Sequence, residues 1–277
     1  MNAKRYVAAV AALVLLCAGC TSNPPEHTSS KENTVSVVSG QSASSEQSKT
    51  SPVNQTGGTK ANESSFPYTQ GPLKLSFYGA GTGGYELVQT RNSIPSIEPL
   101  PTVDSLCAKS DQIVYGTVTE VTNYDALGTG SSLYQFRVET SYKGDLKAGQ
   151  TISVVTVGGY IRVSKLMELE NASYSHLSQS QQKNGVYLDT LYGAPLPQKG
   201  DACMLFLCYP QRSSESPWPK DAYQQTGAFQ GRFLLRADGT LTRYVPKDEP
   251  TFYPEGNADI TFTRFALEQA IVNCKEP

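Results

Sequence analysis

Apolar and polar positions alternate along much of the chain, most clearly over residues 133–142. There Tyr134, Phe136 and Val138 fall on one side and Gln135, Arg137 and Glu139 on the other. A period of two is the mark of a half-buried β-strand. Residues 112–121 place Val114 and Val118 on one face in the same way. Residues 151–157 are β-branched nearly throughout and 202–209 are almost wholly apolar, so both read as strands buried on two faces. Residues 73–78 and 85–89 read as strands flanking a glycine-rich connection. Residues 231–236 and 240–245 are joined by Ala237-Asp238-Gly239, a hairpin signal because Asp-Gly readily supplies positive φ.

A helical period occurs in two places. Pro101-Thr102 opens a short helix over 103–109, and residues 263–273 put Leu267, Ile271 and Cys274 at i, i+4 and i+7. Two segments break the pattern. Residues 160–198 read as a long insertion, partly helical around 164–177, and 212–221 form a proline-bounded loop carrying Trp218. The pattern predicts a mainly β domain with a short N-terminal helix, a C-terminal helix and a long insertion.

The N-terminal 65 residues have none of this patterning. Lys4 and Arg5 precede eleven uncharged residues, 6–16. Such a run is too short to cross a hydrocarbon core of roughly 30 Å but suits the apolar region of a secretory leader. Ala18-Gly19-Cys20 follows, and the stretch resembles a bacterial lipoprotein signal peptide, although Cys17 stands where the lipobox carries leucine and Leu16 lies one place further out. The resemblance implies cleavage after residue 19 and a diacylglycerol on the Cys20 sulfur. The formal C-x-x-C of Cys17 and Cys20 then never acts as a pair. Residues 20–65 are rich in Ser, Thr, Asn, Gln and Gly with few large apolar groups, which predicts a disordered tether spanning roughly 35–40 Å. The expected organisation is a leader at 1–19, a lipidated Cys20 with its tether to 65, and one domain over 66–277. The expected location is the extracytoplasmic face of a bacterial cell membrane, held by lipid.

The domain carries 18 Lys and Arg against 21 Asp and Glu, a net of −3 without blocks of one sign. A nucleic-acid binder shows a basic footprint, so no nucleic-acid partner is expected. The stretches SDQIVYGTVTEV, LYQFRVETSYKGDLKAGQTISVV, KGDACMLFL and FQGRFLL, within residues 103–157 and 199–236, resemble the netrin-module and metalloproteinase-inhibitor superfamily. That resemblance implies an antiparallel barrel of the OB type. Those inhibitors present a free N-terminal cysteine to their target's metal, a mode that an acylated Cys20 some 45 residues from the domain does not permit.

Candidate chemistry is sparse. The glycines of 79–84 lead into a strand-like run instead of a helix, so they read as a hairpin turn, not a phosphate loop. His176 is the domain's one histidine, no G-x-S-x-G is present, and Glu168/Glu170 and Asp248/Glu249 read as solvated carboxylates. No cofactor or metal site is expected. Cys107, Cys203, Cys208 and Cys274 allow three disulfide pairings, with 203–208 disfavoured because an odd spacing in a strand sends the side chains to opposite faces. They can equally be buried thiols. Trp218, Tyr223, Phe252 and Tyr253 lie in polar or proline-rich loops and suggest a contact surface for a protein, peptide or glycan. The functional expectation is a lipid-anchored binding or accessory module without enzymatic machinery. The competing expectation is a cell-envelope hydrolase using carboxylates and His176.

Overall fold

Every residue of the run Ala202–Cys208 is apolar, and a strand of that kind is stable only with cores on both of its faces. The computed structural model, which describes residues 72–170, 174–210, 218–246, 253 and 259–274, shows this strand (β8) between two cores. Cys203, Leu205 and Leu207 point into a barrel among Val114, Val118, Tyr134, Phe136 and Val154. Met204 and Phe206 point outwards, into a second core roofed by two helices.

The barrel is a closed ring of five strands. It comprises β3 (Gln112–Tyr124), β4 (Ser131–Lys143), β5 (Thr151–Val157), β8 and β9 (Tyr223–Gln225). β3 pairs antiparallel with β4 and β4 with β5; β5 pairs parallel with β9; β9 and then β3 pair antiparallel with β8, closing the ring. A ring ordered 1-2-3-5-4-1 with one parallel pair is the OB arrangement, so the domain has an OB-like barrel. Register shifts after Ile113, Tyr115 and Val118 bend β3 around the curve. Gly116 lies at one of them, where a Cβ would come 2.0 Å from the Arg137 carbonyl oxygen.

Beyond β9 a 3₁₀ turn (Ala228–Gly231) leads to β10 (Arg232–Leu235), which continues along the same edge of β8. β11 (Thr240–Arg243) and β12 (Thr261–Thr263) extend this wing. The β10–β11 turn has Gly239 at φ 82°, as the Asp-Gly signal requires. Helix α1 (Val103–Lys109) starts in a capping box between Thr102 and Ser105, and Lys143 Nζ donates to the Cys107 and Ser110 carbonyls at its other end. The C-terminal helix, α4 by chain order (Arg264–Asn273), is capped by Thr263. Leu106 and Cys107 of α1 and Leu267 and Ile271 of α4 close the second core over β8.

The long insertion is more ordered, and more β, than its composition suggests. It holds β6 (Gly159–Arg162), α2 (Val163–Glu170), α3 (Gln179–Asn184) and β7 (Gly185–Leu191). β7 pairs parallel with β2 (Gly81–Ser93), which forms a hairpin with β1 (Leu73–Phe77). The turn of that hairpin is residues 78–80, so the glycines at 81–84 belong to β2 and not to a loop. The expected helix over 164–177 ends at Glu170. The glycines take their strand from the neighbouring β1, whereas β7 of the insertion takes its place from a partner about 100 residues distant, which local composition does not reveal.

Candidate functional site

At the end of β3 the alternation Asn123, Tyr124, Asp125 separates structural from exposed roles. Asn123 donates to the Ser76 carbonyl at 3.0 Å and accepts from the Tyr160 amide at 2.9 Å. Asp125 receives Arg162 twice, Nε to Oδ2 at 2.7 Å and Nη2 to Oδ1 at 3.0 Å. That hydrogen bonding raises the Arg162 pKa against the lowering effect of burial, and the guanidinium lies 4.9 Å from the centre of the Phe77 ring. Asp189 of β7 accepts Arg91 Nε at 2.6 Å and Nη2 at 2.8 Å, and also the Gly130 amide at 2.7 Å. Burial alone would lower the Arg91 pKa, and Asp189 more than reverses this. The β3–β4 loop, 125–130, is thereby anchored at both ends.

Tyr124 points the other way. Its ring is 5.6 Å from Tyr78 at the tip of the β1–β2 hairpin and 5.7 Å from Trp218 in the β8–β9 connection. Burial raises the Tyr124 pKa, with Tyr78 and Asp125 adding to it, so this phenol stays neutral near pH 7. Tyr78 is 56% exposed. Trp218 is only 6% exposed and packs on Leu133, Val155 and Ala222. Together they form an aromatic rim at one end of the outer β4–β5 face. Along that face the register sets Leu133 opposite Val155, Gln135 opposite Ser153 and Arg137 opposite Thr151. Gln135 Nε2 donates to Ser153 Oγ at 3.1 Å, and on β3 Thr117 Oγ1 donates to Glu139 Oε1 at 2.8 Å. Arg137, Glu139 and Thr151 are exposed, while Gln135 and Ser153 are half-buried. The result is a ladder of short hydroxyls and planar polar groups with rings at one end.

The residues singled out in the sequence are distributed differently from expectation. Trp218 and Tyr253 are both 6% exposed and belong to cores, so neither is the exposed contact residue that its loop setting suggests. Trp218 underpins the rim from below. Tyr253 lies 4.4 Å under the Arg243 guanidinium, and burial pushes its phenol up to about 12. Tyr223 is half-buried beside Tyr209, at 6.3 Å between ring centres. Phe252, Cys20 and Asp248/Glu249 lie outside the described residues. Cys203 is in the barrel interior, where burial pushes its thiol up to about 12. Cys208 faces the opposite side, its Sγ 3.4 Å from the Lys109 carbonyl, so these two thiols point apart as their spacing requires. Cys107 and Cys274 meet in the helical core.

His176 lies exposed in the turn between α2 and α3, its ring 6.0 Å from Tyr174, whose hydroxyl donates to Glu170 at 2.7 Å. Glu168 and Glu170 are exposed on α2. This open surface gives a hydrolase neither desolvation nor a second catalytic group held by the barrel. Among the described residues no cluster of three or more His, Cys, Asp or Glu is placed to hold a metal, and no helix is long and apolar enough to cross a membrane. No protein-family model matches the chain, and no curated protein matches it in sequence.

Tyr78, Tyr124, Gln135, Arg137 and Ser153 were missed as site residues by sequence reasoning. The outward polar set of residues 133–142 was visible as the solvent side of a strand. The ring order places it on the outer face of the second and third strands of the barrel.

Proposed function

We propose that the protein is a lipid-anchored extracytoplasmic binding module that holds an oligosaccharide of the cell envelope on the outer β4–β5 face. OB-type barrels bind oligonucleotides or oligosaccharides on the outer face of their second and third strands, framed by the loops joining strands one to two and four to five. In this ring those strands are β4 and β5, and those loops carry or adjoin Tyr124 and Trp218. A domain of net charge −3 lacks the cationic footprint that oligonucleotides demand, which favours the uncharged polymer. The observation that carries the reading is the coincidence of aromatic rim and polar ladder on this one face.

The chemistry is recognition without a covalent step. Tyr78 offers an exposed ring for the apolar face of a sugar, and Gln135, Ser153, Thr151 and Arg137 offer donors and acceptors for its hydroxyls. The lipid on Cys20 and the tether hold the module at a root-mean-square distance of roughly 35–40 Å from the membrane while leaving this face free to search. The relation to the netrin-module superfamily belongs to this proposal and is supported by the ring order; inhibition through a free N-terminal cysteine does not.

Co-sedimentation of the detergent-solubilised full-length protein with insoluble envelope polysaccharide tests the reading. The wild type is expected to pellet with the polymer in a saturable manner. Tyr78→Ala with Gln135→Ala is expected to weaken binding by about 10–100-fold while leaving the thermal midpoint within a few degrees. Equal pelleting by wild type and double variant, or none by either, would refute it.

A further inference from the structure

Four thiols lie in the domain, and two of them are in contact. Cys107 sits in α1 and Cys274 at the C-terminal end of α4, and their side chains share a hydrogen bond within the helical core. Cys274 Sγ also lies 3.0 Å from Asp104 Oδ1 and 3.1 Å from the Ala270 carbonyl oxygen. The other two are placed elsewhere. Cys203 is inside the barrel, on the far face of β8 from this core, and Cys208 is directed at the Lys109 carbonyl and at Thr226 Oγ1, 3.5 Å away.

We propose that Cys107 and Cys274 form a disulfide that staples α4, the last helix of the chain, to α1. The staple closes a loop that takes in every strand from β3 to β12, and long loops are those in which a cross-link restricts the unfolded chain most. α4 is a terminal element with Phe265 70% and Val272 44% exposed, held to the core by Leu267 and Ile271, by Tyr142 donating to Glu268 at 2.5 Å and by Arg264 4.0 Å from the centre of the Tyr115 ring. In the reduced fold, burial, Cys107 and Asp104 together push the Cys274 thiol well above its ordinary range. A thiol so held suits neither redox catalysis nor rapid exchange.

The oxidant is the disulfide of a thiol–disulfide oxidoreductase, the class that works outside the cytoplasm. Its S–S bond breaks and is reduced to two thiols, while Cys107 and Cys274 lose two protons and two electrons and gain the new S–S bond. Only this supply of oxidant rests on the proposed location. The test therefore uses oxidised glutathione during refolding of the full-length chain, so that failure of the bond and failure of the address are distinguishable.

Blocking remaining thiols by alkylation and digesting with trypsin without reductant is expected to give residues 92–109 linked to 265–275, two hydrogens lighter than the separate peptides. Reduction is expected to lower the thermal midpoint by roughly 5–15 °C. Cys274→Ser and Cys107→Ser should each reproduce that lower midpoint and be insensitive to reductant, whereas Cys208→Ser should keep the full response. Alkylation of both Cys107 and Cys274 in the oxidised protein, or a link from Cys107 to Cys208, would overturn the proposal even if a serine variant failed to fold.

Discussion

Arg243→Met is expected to destabilise the domain by roughly 3–5 kcal/mol, the largest loss expected from any single side chain discussed. Arg243 is 1% exposed, and its guanidinium lies between the rings of Phe233, at 5.4 Å, and Tyr253, at 4.4 Å. Nη1 donates to the Leu100 carbonyl at 2.7 Å and Nη2 to the Pro101 carbonyl. Desolvation lowers the Arg243 pKa, which Tyr253 and Asp259 only partly offset, so the charge is held at a cost. What it secures is the approach to α1. The Pro101 carbonyl also accepts the Asp259 amide at 2.9 Å, and Asp259 Oδ2 accepts the first helical amide, Val103, at 2.7 Å. Methionine fills much of the volume but leaves the buried Leu100 carbonyl without its donor and the Pro101 carbonyl with the Asp259 amide alone. Urea denaturation read by far-ultraviolet circular dichroism measures the loss, with exposed Arg236→Met as a control expected within about 0.5 kcal/mol of wild type. An Arg243→Met midpoint equal to that of the control would contradict this account of the second core.

The second large effect concerns the address. Under the proposed function, Cys20→Ala is expected to abolish incorporation of labelled fatty acid completely, because the thioether sulfur is its only attachment point. The mature chain should no longer partition into detergent, since the remaining tether of 21–65 offers little apolar surface. Label and partition are read separately, because an uncut leader could itself hold the variant at the membrane. Wild-type protein without label, or a Cys20→Ala variant that retains it, would end the lipoprotein reading.

Much of the fold was legible because its strongest signals are local. The alternation of Tyr134, Phe136 and Val138 does mark the inner face of β4, and the two-faced burial read for 202–209 is that of β8. Helix starts were marked by Thr102 and Thr263, which serve as the caps. The illegible parts depend on distant partners. β7 is passed over inside the insertion because Asp189 interrupts its apolar run, and that carboxylate is paired with Arg91, 98 residues earlier. Trp218 and Tyr253 read as exposed because their neighbours in sequence are polar and proline-rich, whereas their neighbours in space are Leu133, Val155 and the Arg243 guanidinium. The candidate face was legible only as solvent-facing polarity. Its meaning comes from the closed ring and from the approach of Tyr78, Tyr124 and Trp218, drawn from three separate segments.

Trp218 is the only tryptophan in the chain, so its emission reports on the rim alone. The most direct measurement is a fluorescence titration of the full-length protein with soluble oligosaccharides released from envelope polysaccharide. The account predicts a saturable change in Trp218 emission, transmitted through Tyr124, that is lost in the Tyr78→Ala/Gln135→Ala variant. An emission that stays flat through the titration, or one that changes equally in wild type and variant, would contradict it.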